Sequence, residues 1–186
     1  MKRFGREKEK KNIAIPLFII AIMVLSALGY AIFQGENSNL VKVNGFKFVK
    51  VQDKYWTTKF QGASYMFYFS PEDIKELPIN EFTLPSFVYL VSNPKANYSQ
   101  ANLQTIEVIK FELKNSLQSL GKTVSMNFTS QVSCEDVSPS TAVISLDFGN
   151  ETKVAANENC IQIMGTDAGK LVAARDRFLM KVLGVY

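Results

Sequence analysis

Phe87-Val-Tyr-Leu-Val91, the break at Asn93-Pro94, the stretch from Ser99 to Leu120, and Thr123-Val-Ser-Met-Asn-Phe-Thr129 together decide how this chain folds. The first run is apolar throughout, as a strand buried on both faces must be. Leu103, Ile106, Ile109, Leu113, Leu117 and Leu120 then recur at three- and four-residue spacing. That is one face of a long helix, and Gly121 suits its terminus. Residues 123–129 alternate as a second strand. Two strands joined through a helix are expected to lie parallel, with a right-handed crossover.

Upstream, Val41-Lys-Val-Asn-Gly-Phe-Lys-Phe-Val-Lys-Val51 alternates around Asn44-Gly45, the strongest short hairpin signal. Tyr55-Trp-Thr-Thr-Lys-Phe60 and Ser64-Tyr-Met-Phe-Tyr-Phe69 flank Gln61-Gly62-Ala63 as a second hairpin. The result is an aromatic-rich antiparallel meander over residues 40–69. Ser70-Pro71-Glu72-Asp73 then carries the cap, the proline and the acids of a helix start, which Pro78 should close after about two turns. Downstream, strands fit residues 142–148 and 159–164, joined through Gly149-Asn150-Glu151. Residues 167–183 close as a helix with Leu171, Ala174, Phe178, Val182 and Leu183 as its apolar stripe, ended by Gly184. Its other side, with Lys170, Arg177 and Lys181, should face water, and Arg175-Asp176-Arg177 reads as an exposed, locally paired face. The expected class is α+β or α/β: one domain over residues 40–186, with helices packed on a mixed sheet built from the meander and the strand–helix–strand crossover.

Before the domain stand a basic tail over residues 1–12, an apolar stretch and a polar linker over residues 34–39. Ile13 to Phe33 gives 21 uncharged residues, and a spanning helix needs roughly 20. The tail carries Lys2, Arg3, Arg6, Lys8, Lys10 and Lys11, so it should stay cytoplasmic and place the domain outside the membrane. The apolar stretch exceeds the 7–15 residues usual in a cleaved signal, which favours a retained signal-anchor although Ala27-Leu-Gly-Tyr-Ala31 offers small residues.

The whole chain has a net charge of +4, and so does the tail; residues 34–186 balance at 15 basic against 15 acidic. A neutral domain without a basic stripe gives no footprint for nucleic acid. Histidine is absent, which removes Ser-His-Asp and Cys-His nucleophile systems and the HExxH zinc site. Catalysis is therefore not favoured, and neither a cofactor nor a metal is expected.

Cys134 and Cys160 are the two cysteines. Outside the cell a lone pair reads first as a structural disulfide, with two separate buried thiols as the alternative. The strand and helix order of residues 86–183 loosely resembles a thioredoxin core, whose redox versions need Cys-x-x-Cys at a helix start. Here Ser99 occupies that place without a cysteine nearby. Asn97-Tyr-Ser99, Asn127-Phe-Thr129 and Asn150-Glu-Thr152 are sequons, of which Asn97 and Asn150, both in loops, are the better glycosylation candidates. Glu135-Asp136, Asp147 and Glu151 lack any oxygen-ligand spacing for a cation. Gly165-Thr-Asp-Ala-Gly169 lacks the lysine of a phosphate loop.

The basic tail, the single apolar stretch, the meander ending in Phe69-Ser-Pro71, then Cys134, Cys160-Ile-Gln-Ile and the Ala174-Arg-Asp-Arg-Phe178 helix ending in Leu183-Gly184 form one arrangement. It resembles uncharacterised single-pass exported proteins of archaea. The resemblance implies a location and no activity. The expected role is a non-catalytic cell-envelope component or accessory subunit that binds another protein. An extracytoplasmic enzyme or thiol–disulfide protein using Cys134 and Cys160 is the alternative, and a receptor domain for a small ligand or glycan is a third.

Overall fold

Two-residue turns set the first sheet. Asn44-Gly45 and Gln61-Gly62 both take positive φ at each position (46° and 84°; 49° and 82°), the conformation that matches the right-handed twist of a hairpin and that glycine adopts without strain. The computed structural model describes residues 39–93, 98–126, 132 and 134–186. The tail, the apolar stretch over residues 13–33, Asn97 and the end of the strand expected over 123–129 lie outside the described residues. Asn39–Tyr186 forms one compact unit.

Strands β1 (Leu40–Val43), β2 (Phe46–Val51), β3 (Tyr55–Phe60) and β4 (Ala63–Phe67) pair in that order, all antiparallel. Alternation sends Phe48, Trp56, Tyr65 and Phe67 into the core and leaves Val49, Val51 and Met66 on the outer face. This meander is a sheet of its own. The expectation of a single mixed sheet is corrected: β1–β4 form one sheet and β5–β9 another, so the class is α+β.

Helix α1 (Pro71–Ile74) has the expected Ser70 cap, and it is a reciprocal capping box: Ser70 Oγ accepts from Asp73 N–H and the Asp73 carboxylate accepts from Ser70 N–H. It is one turn long, not two. Residues 78–80 are drawn off to run beside a strand: Pro78 C=O accepts from Val154 N–H at 2.9 Å and Asn80 N–H donates to Val154 C=O at 3.3 Å.

In the second sheet β5 (Phe87–Ser92) is joined through α2 (Gln100–Ser119) to β6 (Thr123–Met126), its neighbour on one side. The chain then crosses back to β7 (Thr141–Phe148) on the other, followed by β8 (Lys153–Asn157) and β9 (Cys160–Gly165). The order is β6-β5-β7-β9-β8, parallel except for β8. The expected crossover is present, with β5 and β6 parallel. Strand β8 is not anticipated by the sequence reading, because its hairpin turns at Glu158, a non-glycine residue at φ 52°.

Ser99 caps α2, and Ile106, Ile109, Leu113 and Leu117 bury as expected. Leu103 does not: it is exposed, and Lys110 is buried instead, its ammonium 2.9 Å from Glu107. The α2 stripe is thus rotated toward Lys110, whose alkyl stem packs while its head reaches a carboxylate.

Helix α3 (Ala168–Val182), capped by Asp167, lies against β9, β8 and β7 and also meets α1 and α2. Its approach to β9 needs Gly165, where an added Cβ would sit 2.2 Å from Leu171 N. Leu171, Ala174, Phe178 and Leu179 are buried, and Phe178 stacks on Phe82 at 5.4 Å between ring centres. Arg175, Asp176 and Arg177 are buried too, which corrects the expectation of a solvated face. The reason is that α3 has packed neighbours on more than one side. Arg177 lies over the Tyr186 ring at 3.8 Å and donates through Nε to Leu77 C=O at 3.3 Å. Phe178→Ala should lower unfolding stability by about 3–5 kcal/mol in denaturant titration. Arg177→Glu should also destabilise strongly, by about 3–5 kcal/mol, because it leaves an unpaired buried charge; an unchanged midpoint for either variant contradicts this packing.

Candidate functional site

Cys134 opens a single 3-10 turn in the connection from β6 to β7, and Cys160 is the first residue of β9. The two are disulfide-bonded, with Cα atoms 5.2 Å apart. Cys160 alternates with Ile161, which points to the helix-packed core, so the bridge ties the connection to the other face of the sheet. Ser138 bridges to Thr141, and Asn159 Nδ2 donates to Ser138 C=O at 2.5 Å, fastening the same strap. The bridge takes up both thiols and fastens the strap to β9.

Beneath this strap lies a crevice of about 180 Å³, bounded by Val132 and Cys134 above and by Val91, Val143, Ser145 and Gln162 of the sheet. It opens toward the carboxyl ends of β5 and β7. Strand β5 leads out to β6 on one side while β7 lies on the other, the kind of switch point where open parallel sheets hold ligands. Asp147 stands at its mouth. One carboxylate oxygen accepts from Asn93 Nδ2 at 2.7 Å; the other accepts from Tyr98 Oη at 2.6 Å and from Phe148 N–H at 2.8 Å. Burial, then the hydrogen bond to Asp147 and its charge, push the Tyr98 hydroxyl well above the usual tyrosine range. Tyr98 therefore stays a neutral donor. The cluster fastens the approach to α2 onto β7 through hydrogen bonds.

The Arg175–Asp176 pair is the other polar centre, and sequence reasoning placed it in water. In an antiparallel ladder, successive residues turn their backbone groups alternately toward and away from the neighbour. On the edge strand β4 the outward groups belong to Met66 and then Tyr68. Met66 C=O accepts from Arg175 at 3.4 Å, and Asp176 Oδ2 accepts from Tyr68 N–H at 2.7 Å and Phe69 N–H at 3.0 Å. Arg175 lies 2.9 Å from Asp176 and 2.6 Å from Glu112 of α2. Two side chains of α3 thus take the part of a missing neighbour strand. Burial raises the Asp176 carboxyl to about 6, against the pull of Arg175 and the two backbone donors.

Among the described residues, α2 carries the most exposed large apolar side chains, Val108 at 56% and Phe111 at 59%. They are three apart, hence neighbours on one ridge. Asn150 is exposed in the bend between β7 and β8, accessible as a sequon should be. Glu151 pairs with Lys153 at 2.7 Å, away from any cluster with Asp147. Among the described residues no group of three metal-ligating side chains converges.

Because the folded state holds the Asp176 proton at about 6 against an ordinary 3.8, the stability from this group is full below the lower value and is lost as pH rises through the upper one. Between pH 4 and 7.5, the difference in unfolding free energy between the native sequence and Asp176→Asn should move toward the variant by on the order of 2–3 kcal/mol; a pH-independent difference contradicts it. Removing the bridge with Cys134→Ser/Cys160→Ser should lower stability by about 3–4 kcal/mol, read from the unfolding midpoint. No protein-family model matches the chain, and neither a curated protein nor a solved structure is significantly similar to it.

Proposed function

We propose that the chain is a membrane-tethered extracytoplasmic domain that performs no chemistry and binds another protein of the cell envelope. The anchor rests on the 21 uncharged residues behind six basic ones, a property of the sequence; among the described residues no helix is long and apolar enough to cross a membrane. The disulfide supports an oxidising location.

The observation that carries the binding role is the ridge of Val108 and Phe111. An aromatic and a branched aliphatic side chain, each more than half exposed on a helix whose other face is fully packed, form an anchor of the kind that partners cover. Glu107 and Glu112 flank the ridge on the same helix, and each is engaged with a cation of this chain, Lys110 and Arg175. A partner thus meets an apolar knob rather than free charge. At the switch point, the small-ligand reading rests on the crevice beside Asp147. Its 180 Å³ falls below the roughly 300–1,000 Å³ of ordinary ligand pockets, which places it second.

Protease added to intact cells should digest residues 39–186 and spare the basic tail; protection of the domain overturns the topology. A photo-crosslinking amino acid at Phe111 in native membranes should give one adduct of defined mass, lost in Val108→Glu, while the same probe at exposed Lys170 gives none. An adduct of twice the chain's mass, or none at position 111, overturns binding to a different protein through this ridge.

A further inference from the structure

The neutral balance of the domain hides a separation of charge. Residues 39–69, the meander, hold five lysines against one aspartate, whereas residues 70–186 hold ten basic against thirteen acidic side chains. On the outer face of the meander Lys42 lies directly opposite Lys47 in the β1–β2 ladder. Like charges so placed repel each other. Beyond the Val49–Thr57 pair the β2–β3 ladder stops, although both strands continue. A concavity of about 560 Å³ opens there, lined by Gly45, Phe46 and Lys47 on one strand and by Lys59, Phe60 and Gln61 on the other. Phe46 and Phe60 stack across it at 5.8 Å. Lys42, Lys47 and Lys59 are all exposed, and among the described residues none of them forms an ion pair.

Beside the lysines the same face exposes Val49, Val51, Met66 and Tyr68, each between 38% and 45%. An apolar field bordered by unpaired lysines is the composition that binds an anionic lipid surface: the apolar side chains enter the headgroup boundary and the lysines meet phosphate. Chain length points to the same occupant. Six residues, 34–39, separate Phe33 from Leu40, and the seven steps between them, at roughly 3.5 Å each, reach about 25 Å at most. If the apolar stretch spans the bilayer, strand β1 cannot leave the neighbourhood of the headgroups. The α2 ridge, flanked by Glu107 and Glu112, lacks this charge.

We propose that the outer face of the meander docks onto an anionic bilayer surface, with a lipid phosphate seated between Lys47 and Lys59 in the concavity. The proposal rests on the anchor reading above. It fixes the orientation of the domain on the membrane, and so the direction in which the α2 ridge is presented.

The full chain reconstituted in nanodiscs tests it, with phosphatidylglycerol or phosphatidylcholine as the lipid and a gadolinium chelate on a fraction of the headgroups. In phosphatidylglycerol the methyl resonances of Val49, Val51 and Met66 should broaden several-fold more than that of Val108. The excess should fall in phosphatidylcholine, fall in Lys47→Glu/Lys59→Glu, and return in Lys47→Arg/Lys59→Arg. Unchanged methyl shifts of the buried Ile161 and Leu113 would show that the charge-reversed variant still folds. Equal broadening of Val49 and Val108, or the same broadening in both lipids, overturns the docking. Protection of Lys47 and Lys59 from acylation by an acidic protein in native membranes, with no broadening in the nanodiscs, overturns it in favour of a protein partner. Recovery of the chain free of nanodiscs overturns the anchor reading itself, a failure distinct from the others.

Discussion

Arg175 and Asp176 hold two sheets to one helix. An edge strand with outward backbone groups buried against a helix would leave amide and carbonyl groups without partners, at a cost of a few kcal/mol each. The α3 pair meets both needs, the guanidinium reaching Met66 C=O and the carboxylate reaching the amides of Tyr68 and Phe69. Glu112 neutralises the second side of the arginine from α2. Meander, α2 and α3 therefore meet at one buried ionic centre. Such a centre stabilises weakly against an apolar replacement, yet losing one member leaves a buried charge and is severe. The pair joins α3 to the backbone of Met66, Tyr68 and Phe69 at the end of the meander.

The remaining joints follow from that placement. With β4 fixed, the chain turns at Ser70 into α1, and Tyr186 Oη donates to Pro71 C=O while Arg177 covers the Tyr186 ring. Asn44 Nδ2 donates to Val185 C=O at 2.9 Å, so the first hairpin is fastened to the last residues. Residues 78–80 cover the outer edge of β8, and the strap through Cys134 covers part of the face that no helix packs. The outer edges of β4 and β8, which would invite unwanted pairing, are thus covered from within. Among the described residues, the lysine-bordered meander face, the α2 ridge and the small crevice by Asp147 stay open. Open surfaces of this kind suit a domain that presents contacts, which is the role proposed for it.

Much of this was legible in the sequence where a local rule governs. Asn44-Gly45 and Gln61-Gly62 announced their turns because few other residues adopt positive φ there cheaply. Ser70 and Ser99 announced helix starts because free amides need an acceptor. The α2 periodicity missed only in phase, since Lys110 buries its stem and Leu103 does not. Strand β8 escaped because Glu158 turns the chain without glycine. Counting charges along residues 34–186 gave a neutral domain, whereas pairing in the sheet gathers Lys42 and Lys47 side by side.

By itself the sequence determined the hairpins, the helix caps, the crossover from β5 to β6 and, with one pair of cysteines, the disulfide. Each depends on residues near in the chain or on a single available partner. Only the tertiary structure decided that the meander forms a separate sheet, that Arg175-Asp176-Arg177 lies inside, and that lysines from different strands share one face. Those outcomes depend on which surfaces meet. A charged triplet in a helix carries no local mark of burial, because its partners are backbone groups of Met66, Tyr68 and Phe69, more than a hundred residues away. Backbone groups are present in every residue, so only the packing of β4 against α3 selects which of them an arginine or an aspartate will serve.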